Sequence, residues 1–573
     1  MAPLNVALIA LFVPHVLGYP KRFRRSNAEL GLVRDRDAGN ANENGGNSSS
    51  SSSTVTAERL AELTRPNAYE VRVGLLFPKD VPVMEEKFGF GSAAGAVSLA
   101  LERIRIEQLL PGASWKFVTR FSQCQETTAA GHMIDMVQQE NISVLIGPPC
   151  SVTATVCAVL GKYFDVPQMS WAATDTSLAN HYRYPTLTRV IGSAIRLGRA
   201  LKELLQYFHW RRYALIYTDD QAFRRCYSIA EGLRRIALTA NIVNVYNLLI
   251  DAARPADAEI DKFLKGLPDY ARITFVCMEH EADMRRFMVR VGELGLATPE
   301  YVWIMPDFVR DTNRSELWLD YSGYAAAGSD AVDVKNADGG DEAAKRAFKY
   351  AVMVEMMLTN NEELHYFKKR VIQKVQGYPF FYKEKRQNRK YGALYSPFLH
   401  DSIYAYAVAL NRSMRLGGRM SQGALLTNMT KNTQFVGASG HVVIDEVAGR
   451  EPSFVIRGFD VNMKMIKLAE ALMYKRDGKT INLLVPERIF WESRNGIIPR
   501  DVPFCGFQGE KCHQENKNLL PFILIGLVVA ILVVSGVTVG VVNYVRRKLV
   551  TDEMAKLLWK VNYRELQWLN DKV

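Results

Sequence analysis

Short apolar runs and longer amphipathic stretches alternate along most of the chain. Residues 71–77 form the first apolar run, which Pro78 closes, and this composition is typical of a buried strand. The same two patterns recur downstream. They predict strands at 115–121, 143–146, 213–217, 273–277 and 302–305, and helices at 91–103, 129–139, 151–164, 223–239 and 281–294. Strands that alternate with helices favour parallel sheets, and so many units favour two α/β lobes over one sheet.

The later part of the chain shows a less regular pattern. Residues 329–341 are rich in Asp, Ala and Gly and predict a loop. Helical spacing then predicts two helices and the start of a further one, at 342–358, 398–416 and 421–426. A more β-like section begins with 437–444 and runs to Leu484.

Two apolar segments lie outside this pattern and predict the topology. Residues 6–13 form an apolar run that is too short to span a bilayer and is typical of a signal peptide over 1–18. Residues 519–545 carry no charge and are long enough to cross about 30 Å of hydrocarbon as a helix. The cationic cluster at 546–548 follows at once and favours the cytoplasmic side. We therefore expect a single-pass type I protein of the plasma membrane with its N-terminus outside.

Composition refines this division. The chain has 573 residues, and its hydrophobic fraction of 48% is ordinary for a folded protein. The net charge of +12 is scattered without a Lys/Arg block, so we interpret it as solvated surface and expect no nucleic-acid partner. The expected organisation is a signal peptide (1–18), a disordered Ser-rich segment (19–66), a ligand-binding region of two α/β lobes (67–490), a juxtamembrane segment (491–518), a transmembrane helix (519–545) and a short cytoplasmic tail (546–573).

The cysteines and sequons agree with an exported region. All seven cysteines precede the second apolar segment and would therefore face an oxidising compartment. No two have the C-x-x-C spacing of zinc or redox sites, so we expect no metal centre. Six cysteines can pair, which leaves one over. Glycosylation sequons stand at Asn47, Asn141, Asn313, Asn411 and Asn428, and the last four lie in the ligand-binding region.

Catalytic motifs are absent or broken. The glycines of 89–95 imitate a dinucleotide fingerprint but lie too far past the first strand to hold a pyrophosphate. Residues 478–480 imitate the end of a P-loop, but Met473 occupies the place of its first glycine. The chain itself is therefore not expected to be an enzyme. Two lobes create a cleft that suits a small ligand and also outer faces that suit a peptide held between two copies.

Several segments, taken in order, resemble the outer regions of receptor guanylyl cyclases and natriuretic-peptide receptors. The similar segments are Gly147-Pro148-Pro149-Cys150, residues 166–172, Cys226-Tyr227 with 231–233, residues 435–440, Cys505 to Cys512, and the tail segment 557–561. The resemblance covers about Tyr69 to Trp568. It implies a two-lobed, type I periplasmic-binding-protein-like fold, followed by one transmembrane helix.

The resemblance also implies particular site residues. It implies disulfide bonds Cys124–Cys150, Cys226–Cys277 and Cys505–Cys512, and it leaves Cys157 as a buried thiol or an interchain partner. Tyr227 and Glu231 occupy positions like those that face the ligand. Pro149 stands where the family often has a glycine whose N–H helps to bind chloride, and proline has no N–H. We therefore expect no cofactor, and Pro149 puts the chloride site that the resemblance implies in doubt.

The function that the resemblance implies is that of a cell-surface receptor. Our leading hypothesis is a receptor guanylyl cyclase outer region that binds a peptide or another extracellular ligand as a homodimer, or pairs with full-length copies. The kinase-homology and cyclase domains are missing, and the tail similarity at 557–561 favours a truncated product over a tail-less receptor. The alternatives are a clearance-type receptor without catalytic activity and a module that senses amino acids or other small molecules.

Overall fold

The computed structural model describes residues 69–221, 223–252, 257–310, 316–320, 338–359, 361–383, 390–420, 422–473, 480–512 and 519–557. The predicted signal peptide and Ser-rich segment therefore lie outside the described residues. The same holds for Asn313, for nearly all of the predicted loop at 329–341 and for the chain after Leu557.

Strands and helices alternate through the described chain. The strands are β1 (Tyr69–Phe77), β2 (Ala113–Phe121), β3 (Val144–Ile146), β4 (Gln168–Ser170), β5 (Leu187–Gly192), β6 (Arg212–Asp219), β7 (Val243–Asp251), β8 (Ile273–Cys277), β9 (Val302–Pro306), β10 (Ala351–Met356), β11 (Gln434–Gly437), β12 (Gly440–Val443), β13 (Gly449–Arg450), β14 (Phe454–Phe459), β15 (Met465–Ala471) and β16 (Ile481–Leu483). The helices are α1 (Pro82–Phe88), α2 (Phe90–Ala93), α3 (Gly95–Ile106), α4 (Glu126–Gln138), α5 (Ser151–Phe164), α6 (Ala194–Tyr207), α7 (Arg225–Leu238), α8 (Asp257–Gly266), α9 (Glu281–Glu293), α10 (Asp341–Phe348), α11 (Asn361–Lys374), α12 (Ser396–Arg415), α13 (Gly423–Thr430), α14 (Glu487–Phe490) and α15 (Leu519–Leu557).

The first lobe, lobe 1, is built on a six-stranded sheet in the order β13-β5-β4-β3-β1-β2. Every neighbouring pair of these strands is parallel. Its central strands β3, β4 and β5 are buried at every residue because helices cover both faces of a parallel sheet. Helix α3 packs on α11 and α12, and α4 packs on α5.

The second lobe, lobe 2, is built on an eight-stranded sheet in the order β16-β15-β14-β10-β9-β8-β6-β7. The strands from β7 to β10 are parallel, whereas β14, β15 and β16 extend the sheet in antiparallel pairs. Helix α6 packs on α7, and α9 packs on α10. The chain passes between the lobes after β5, after β10 and after β13, and the expected two-lobed α/β fold is confirmed.

One predicted helix is wrong. Residues 342–358 form the helix α10, which ends at Phe348, and then the strand β10. Every residue of β10 is buried because the strand lies inside the sheet between β9 and β14. A short run that is buried on all sides shows no period, so its apolar residues are equally compatible with a helix or a strand.

Helix α15 contains the predicted transmembrane segment and extends beyond it. The prediction ended at Val545, whereas the helix continues to Leu557 through the charged residues that follow the apolar run. Residues Pro521–Lys556 are long and apolar enough to cross a membrane. At 1.5 Å per residue, this 36-residue stretch measures about 54 Å, so its charged end reaches past the hydrocarbon.

Candidate functional site

Two disulfide bonds fasten the strand ends that face the cleft between the lobes. In lobe 1, Cys124 after β2 is bonded to Cys150 before α5, with the Cα atoms 5.7 Å apart. In lobe 2, Cys226 in the first turn of α7 is bonded to Cys277 at the end of β8, with the Cα atoms 5.4 Å apart. The carboxyl ends of parallel strands are the usual edge for ligand sites in α/β folds, so each bond stiffens one wall of that edge.

The GPPC segment turns sharply at the end of β3. Gly147 has a φ of +91°, which favours glycine, and a Cβ there would lie 2.9 Å from the Leu76 carbonyl oxygen. Pro149 offers no N–H to an anion. The donor set for the chloride of natriuretic-type receptors is therefore incomplete in this chain, and no role is assigned to chloride.

Aromatic rings from both lobes fill the interior of the cleft. Phe88 of lobe 1 lies 5.0 Å from Phe223 of lobe 2, measured between ring centroids. Tyr395, which precedes α12, lies 6.2 Å from Phe88 and 5.9 Å from Phe223. All three side chains are almost fully buried. Such edge-on contacts stabilise the closed arrangement of the lobes through burial and ring geometry.

A buried charge network lies beside these rings. Arg225 donates from Nε to Glu279 over 3.2 Å and also pairs with Asp307. Glu279 accepts a further bond from the backbone N–H of Cys226 at 2.7 Å. Lys87 reaches across from lobe 1 and donates to the Glu279 carbonyl oxygen at 3.1 Å. Because these charges are paired and bonded, they hold the two lobes together without leaving an orphan charge.

The network shifts the acidity of its members. Burial and the nearby Arg225 lower the pKa of Lys87. Burial alone would raise the pKa of Asp307, but Arg225 and Arg310 hold it below the ordinary carboxyl value. The cavity that these groups line measures about 60 Å³, well below the roughly 300 Å³ of a small-molecule site. This one cavity, as the described residues line it, is too small for a free amino acid.

A larger cavity of about 340 Å³ lies at the outer edge of the cleft, and we call it the edge cavity. Tyr227 and Glu231 of α7 line it from lobe 2, so the structure brings both predicted ligand residues to one surface. Lobe 1 contributes Ser151 and Val152 from the start of α5. The surface therefore spans both lobes, and a ligand seated on it would respond to their relative position.

The edge cavity also contains residues that sequence reasoning missed. The guanidinium of Arg224 lies 3.8 Å from the centroid of the Tyr227 ring. Asp220 fixes this arginine by accepting a bond from its backbone N–H at 2.6 Å. Ser151 is buried, and its hydroxyl has no hydrogen-bond partner in the described structure. Asp220 also accepts a bond from the backbone N–H of Phe223 at 2.9 Å, and an aspartate that bonds the backbone a few residues later is a local turn signal that could have indicated this segment.

Glu231 has a partner on its own helix. Its carboxylate accepts a bond from Arg235 at 2.7 Å, one turn further along α7. Both side chains keep substantial exposure to solvent. The pair is therefore worth little for stability and remains accessible to a ligand.

A buried carboxylate holds the turn at residues 437–440, which belongs to the late segment that resembles the family. Asp401 of α12 accepts bonds from the backbone N–H groups of Ala438 and Ser439 at 2.7 and 2.9 Å. A Cβ on Gly437 would lie 2.3 Å from that carboxylate, so only glycine fits there. The β11–β12 hairpin is thereby fixed to lobe 1.

The segment before the membrane helix is bonded to lobe 2. Trp491 is fully buried, and its ring lies 4.9 Å from that of Phe208, which follows α6. The indole N–H of Trp210 donates to the Pro499 carbonyl oxygen at 2.8 Å. Asp501 accepts a bond from the backbone N–H of Arg211 at 2.6 Å. Movement of lobe 2 would therefore carry this segment with it.

The remaining predicted residues occupy varied environments. Cys505 is bonded to Cys512, and with the two bonds above the structure contains all three disulfides that the resemblance implies. Cys157 is buried as a free thiol, and burial raises its pKa to about 12, so the interchain alternative is not supported. Asn141 and Asn428 are exposed, whereas the Asn411 amide donates to the Leu109 carbonyl oxygen at 2.6 Å. Glycosylation of these asparagines stays a prediction.

Metal chemistry finds no support in the described part of the chain. No group of three or more His, Cys, Asp or Glu side chains there is arranged to hold a metal ion. What the geometry offers is a closed interior, an accessible cavity between two lobes and an attachment to the membrane segment.

Comparison with known proteins gives one family match. Residues 92–462 match the family described as the receptor family ligand binding region. This match covers more than half of the chain.

Curated relatives agree with it. The chain is 25% identical over 522 residues to the receptor-type guanylate cyclase gcy-7 of Caenorhabditis elegans, covering 88% of this chain and 46% of that protein. It is 26% identical over 525 residues to the receptor-type guanylate cyclase gcy-14 of the same organism, with the same two coverages. The chain therefore spans about half the length of the curated relatives it matches.

Proposed function

The chain belongs to the receptor family whose ligand-binding region its residues 92–462 match, and from this premise we propose that it receives an extracellular signal at the cell surface. In our proposal, the two lobes bind the ligand and α15 anchors the chain in the plasma membrane with the lobes outside. The signal passes to a guanylate cyclase like those named among the relatives. The ligand-binding region itself performs no catalysis.

Our proposal for the ligand rests on the edge cavity. It measures about 340 Å³, remains open beside a closed interior, and is lined by Tyr227 and Glu231. An open surface suits an extended ligand such as a peptide, which would place an aromatic or cationic side chain against Tyr227 and Glu231. The small size of the interior cavity, about 60 Å³, is why we favour a peptide over a free amino acid.

Orientation follows from charge. The apolar part of α15 is followed by Arg546, Arg547 and Lys548. Cationic residues at one end of a span favour the cytoplasmic side, which would place the lobes and their disulfides outside.

An exposed apolar stripe on α5 supports a dimer. Val159 and Tyr163 are 47% and 80% exposed, and they lie one turn apart on the same face of the helix. Since symmetric dimers pair identical patches, a second copy of this chain would cover both stripes at once. The two membrane helices would then be drawn to one place.

The proposed signal is a change in the position of the lobes. A ligand in the edge cavity contacts both lobes, so it stabilises one arrangement over the other by its differential affinity. Lobe 2 is bonded to the segment that precedes α15 through Trp491 and Asp501. The shift would therefore reach the membrane helix mechanically.

The test is a chimaera in which the cytosolic half of a receptor-type guanylate cyclase follows Leu557. We expect peptide fractions of extracellular fluid to raise cyclic GMP in cells that carry the chimaera, and not in cells that carry the present chain alone. Tyr227→Ala should weaken the response by roughly tenfold or more, because it removes an aromatic contact of the ligand surface. Tyr182→Ala, at a tyrosine that is 94% exposed, is the matched control.

Three outcomes would contradict the proposal. The first is protection of the lobes from protease added to intact cells. The second is ligand uptake without any cyclic-GMP response of the chimaera, which would favour a clearance receptor. The third is an equal loss of response in Tyr227→Ala and Tyr182→Ala, which would remove the edge cavity from the argument.

A further inference from the structure

A polar cavity of about 310 Å³ lies where the chain leaves β10 to cross from lobe 2 to lobe 1. It lies apart from the edge cavity and shares no lining residue with it. We call this cavity the hinge pocket. Its charged and polar lining residues are Arg310, Glu355, Thr359, Asn361, Arg457 and Lys467.

The hinge pocket is cationic. Its described lining contains three basic side chains and a single acidic one, Glu355. Arg457 donates from Nε to one Glu355 oxygen, which engages that carboxylate. The Thr359 hydroxyl donates its proton to Glu363 at 2.6 Å, so it has no proton left for a ligand, and the Glu363 carboxylate lies beside the rim. Three basic side chains and one acidic one give the described lining a net charge of about +2, while Arg310 also faces Asp307 outside the lining.

Buried hydrogen-bonding capacity is left over in the same place. The Arg310 side chain is 8% exposed, and its Nε has no hydrogen-bond partner in the described structure. The second oxygen of Glu355 is equally buried and unbonded, 3.8 Å from that Nε. Buried polar groups normally have partners, and an unmet arginine donor costs more than an unmet neutral one.

The strands place two of the cations against each other. Arg457 of β14 and Lys467 of β15 are direct cross-strand partners in the antiparallel register. Like charges in such a pair repel each other. Lys467 is exposed and has no ion pair among the described residues, whereas Arg457 is paired with Glu355, so only water and that one carboxylate moderate the repulsion. A negatively charged ligand between the two side chains would offset it.

We propose that the hinge pocket binds a small dianion, a tetrahedral oxyanion or a short dicarboxylate. Its charge would match the net positive charge of the lining, and its oxygens would accept from Arg310, Arg457 and Lys467. The volume of about 310 Å³ is at the small end of ligand sites and admits an ion of this size. Because Thr359 and Asn361 lie on the crossing segment, the bound dianion would stiffen the passage between the lobes. This site is independent of the ligand in the edge cavity.

The experiment is calorimetric titration of the full chain in lipid nanodiscs with sodium phosphate, sodium sulfate and disodium succinate. Sodium chloride at matched ionic strength is the reference. We expect saturable binding of at least one dianion and none of chloride, and the tighter of the oxyanion and dicarboxylate arms identifies the shape. Lys467→Gln should raise the dissociation constant roughly tenfold or more, because it removes a charge-assisted hydrogen bond. Glu355→Gln should lower it, because it removes the competing carboxylate.

Lys464→Gln is the matched control, since Lys464 is exposed on the same β14–β15 hairpin and does not line the pocket. It should leave the dissociation constant unchanged. Three results would overturn the proposal: no saturable heat with any dianion, equal binding of chloride, or equal weakening by Lys464→Gln and Lys467→Gln. The last result would reveal diffuse surface charge instead of a site.

Discussion

Lobe 1 and lobe 2 share one plan, but their sheets end differently. The sheet of lobe 1 is parallel throughout and ends in the two-residue strand β13. The sheet of lobe 2 continues past β10 into three antiparallel strands. A parallel strand needs a helical crossover, whereas an antiparallel strand needs only a turn. Strands β14, β15 and β16 follow one another along the chain, so short connections are enough to extend lobe 2 before α15 begins.

The difference assigns distinct mechanical roles to the lobes. Lobe 2 holds the segment that precedes α15, through Trp491, Pro499 and Asp501. Lobe 1 carries the exposed stripe of α5 that we propose pairs with a second copy. In this interpretation, lobe 1 sets where the two copies meet, and lobe 2 passes the movement on. The following predictions test that division.

Trp491→Ala should have the largest effect. Removing a fully buried tryptophan costs about 3–5 kcal/mol of unfolding free energy, because the cavity cannot close completely. We also expect protease to cut the segment around 495–512 sooner, since its anchor on Phe208 is lost. Chemical denaturation of the purified chain in detergent, followed by circular dichroism, measures the first effect, and timed proteolysis measures the second.

The control for that variant lies in lobe 1. Trp115 on β2 is half-buried and stacks on Phe117 with centroids 6.3 Å apart. Trp115→Ala should cost less and should leave the proteolysis of 495–512 unchanged. If both variants expose the segment equally, the attachment to lobe 2 is not what holds it.

Removing one disulfide bond, in either lobe 1 or lobe 2, should have the next largest effect on stability. Cys226 and Cys277 are 51 residues apart, and Cys124 and Cys150 are 26 apart. Loop-closure entropy predicts a loss of about 4 kcal/mol for the lobe 2 bond and about 3.5 kcal/mol for the lobe 1 bond, with serine in place of both cysteines. Denaturant midpoints of the two double variants measure the difference. A much larger loss in lobe 1 would show that its bond does more than close a loop.

Three strands in each lobe were predicted from sequence, β1 to β3 in lobe 1 and β6, β8 and β9 in lobe 2. The run at 71–77 became β1, because an apolar stretch closed by proline leaves few alternatives. Strand β4 has only three residues, too few to show a period, and it was missed. In lobe 2, the misassigned β10 shows the same limit, since a strand buried on all sides carries no alternation.

The candidate site was predictable only where one segment carried the information. Tyr227 and Glu231 were found through the resemblance and do line the edge cavity. Ser151 joins them from a different lobe, directly after the Gly147–Cys150 segment that carries part of the resemblance. Contacts between the lobes depend on how three crossing segments orient the two sheets. No local sequence pattern encodes that orientation.

A buried carboxylate in each lobe should govern stability in acid. Burial alone would raise the pKa of Asp307 and Asp401, but Arg225 and His400 respectively hold each of them below the ordinary value. A depressed carboxyl pKa contributes stability that is full above the unfolded pKa, near 3.8, and is lost as pH falls through the folded one. Each group adds a slope of at most about 1.4 kcal/mol per pH unit.

Asp307→Asn and Asp401→Asn should each flatten the acid side of the stability curve, measured by thermal unfolding at a series of pH values. The two lobes should respond alike, because each carboxylate is largely buried and paired with a basic side chain. A variant that keeps the parental slope would show that its carboxylate does not titrate with unfolding. If only Asp307→Asn kept the parental slope, the result would mean that the cleft is open in solution.

The smallest effects should come from two helical ion pairs with matching geometry. Arg103–Glu107 in lobe 1 and Glu231–Arg235 in lobe 2 are both four residues apart, with N–O distances of 2.8 and 2.7 Å. Glu231→Gln should change the unfolding free energy by less than about 0.5 kcal/mol, as expected for a solvated pair. Glu107→Ala should cost about 1 kcal/mol, because it also removes the acceptor of the Tyr404 hydroxyl, which donates to Glu107 at 2.6 Å. Paired denaturation curves resolve this difference. An equal cost would mean that the Tyr404 bond adds nothing, whereas a neutral Glu231→Gln that abolishes the cyclic-GMP response would assign Glu231 to ligand binding alone.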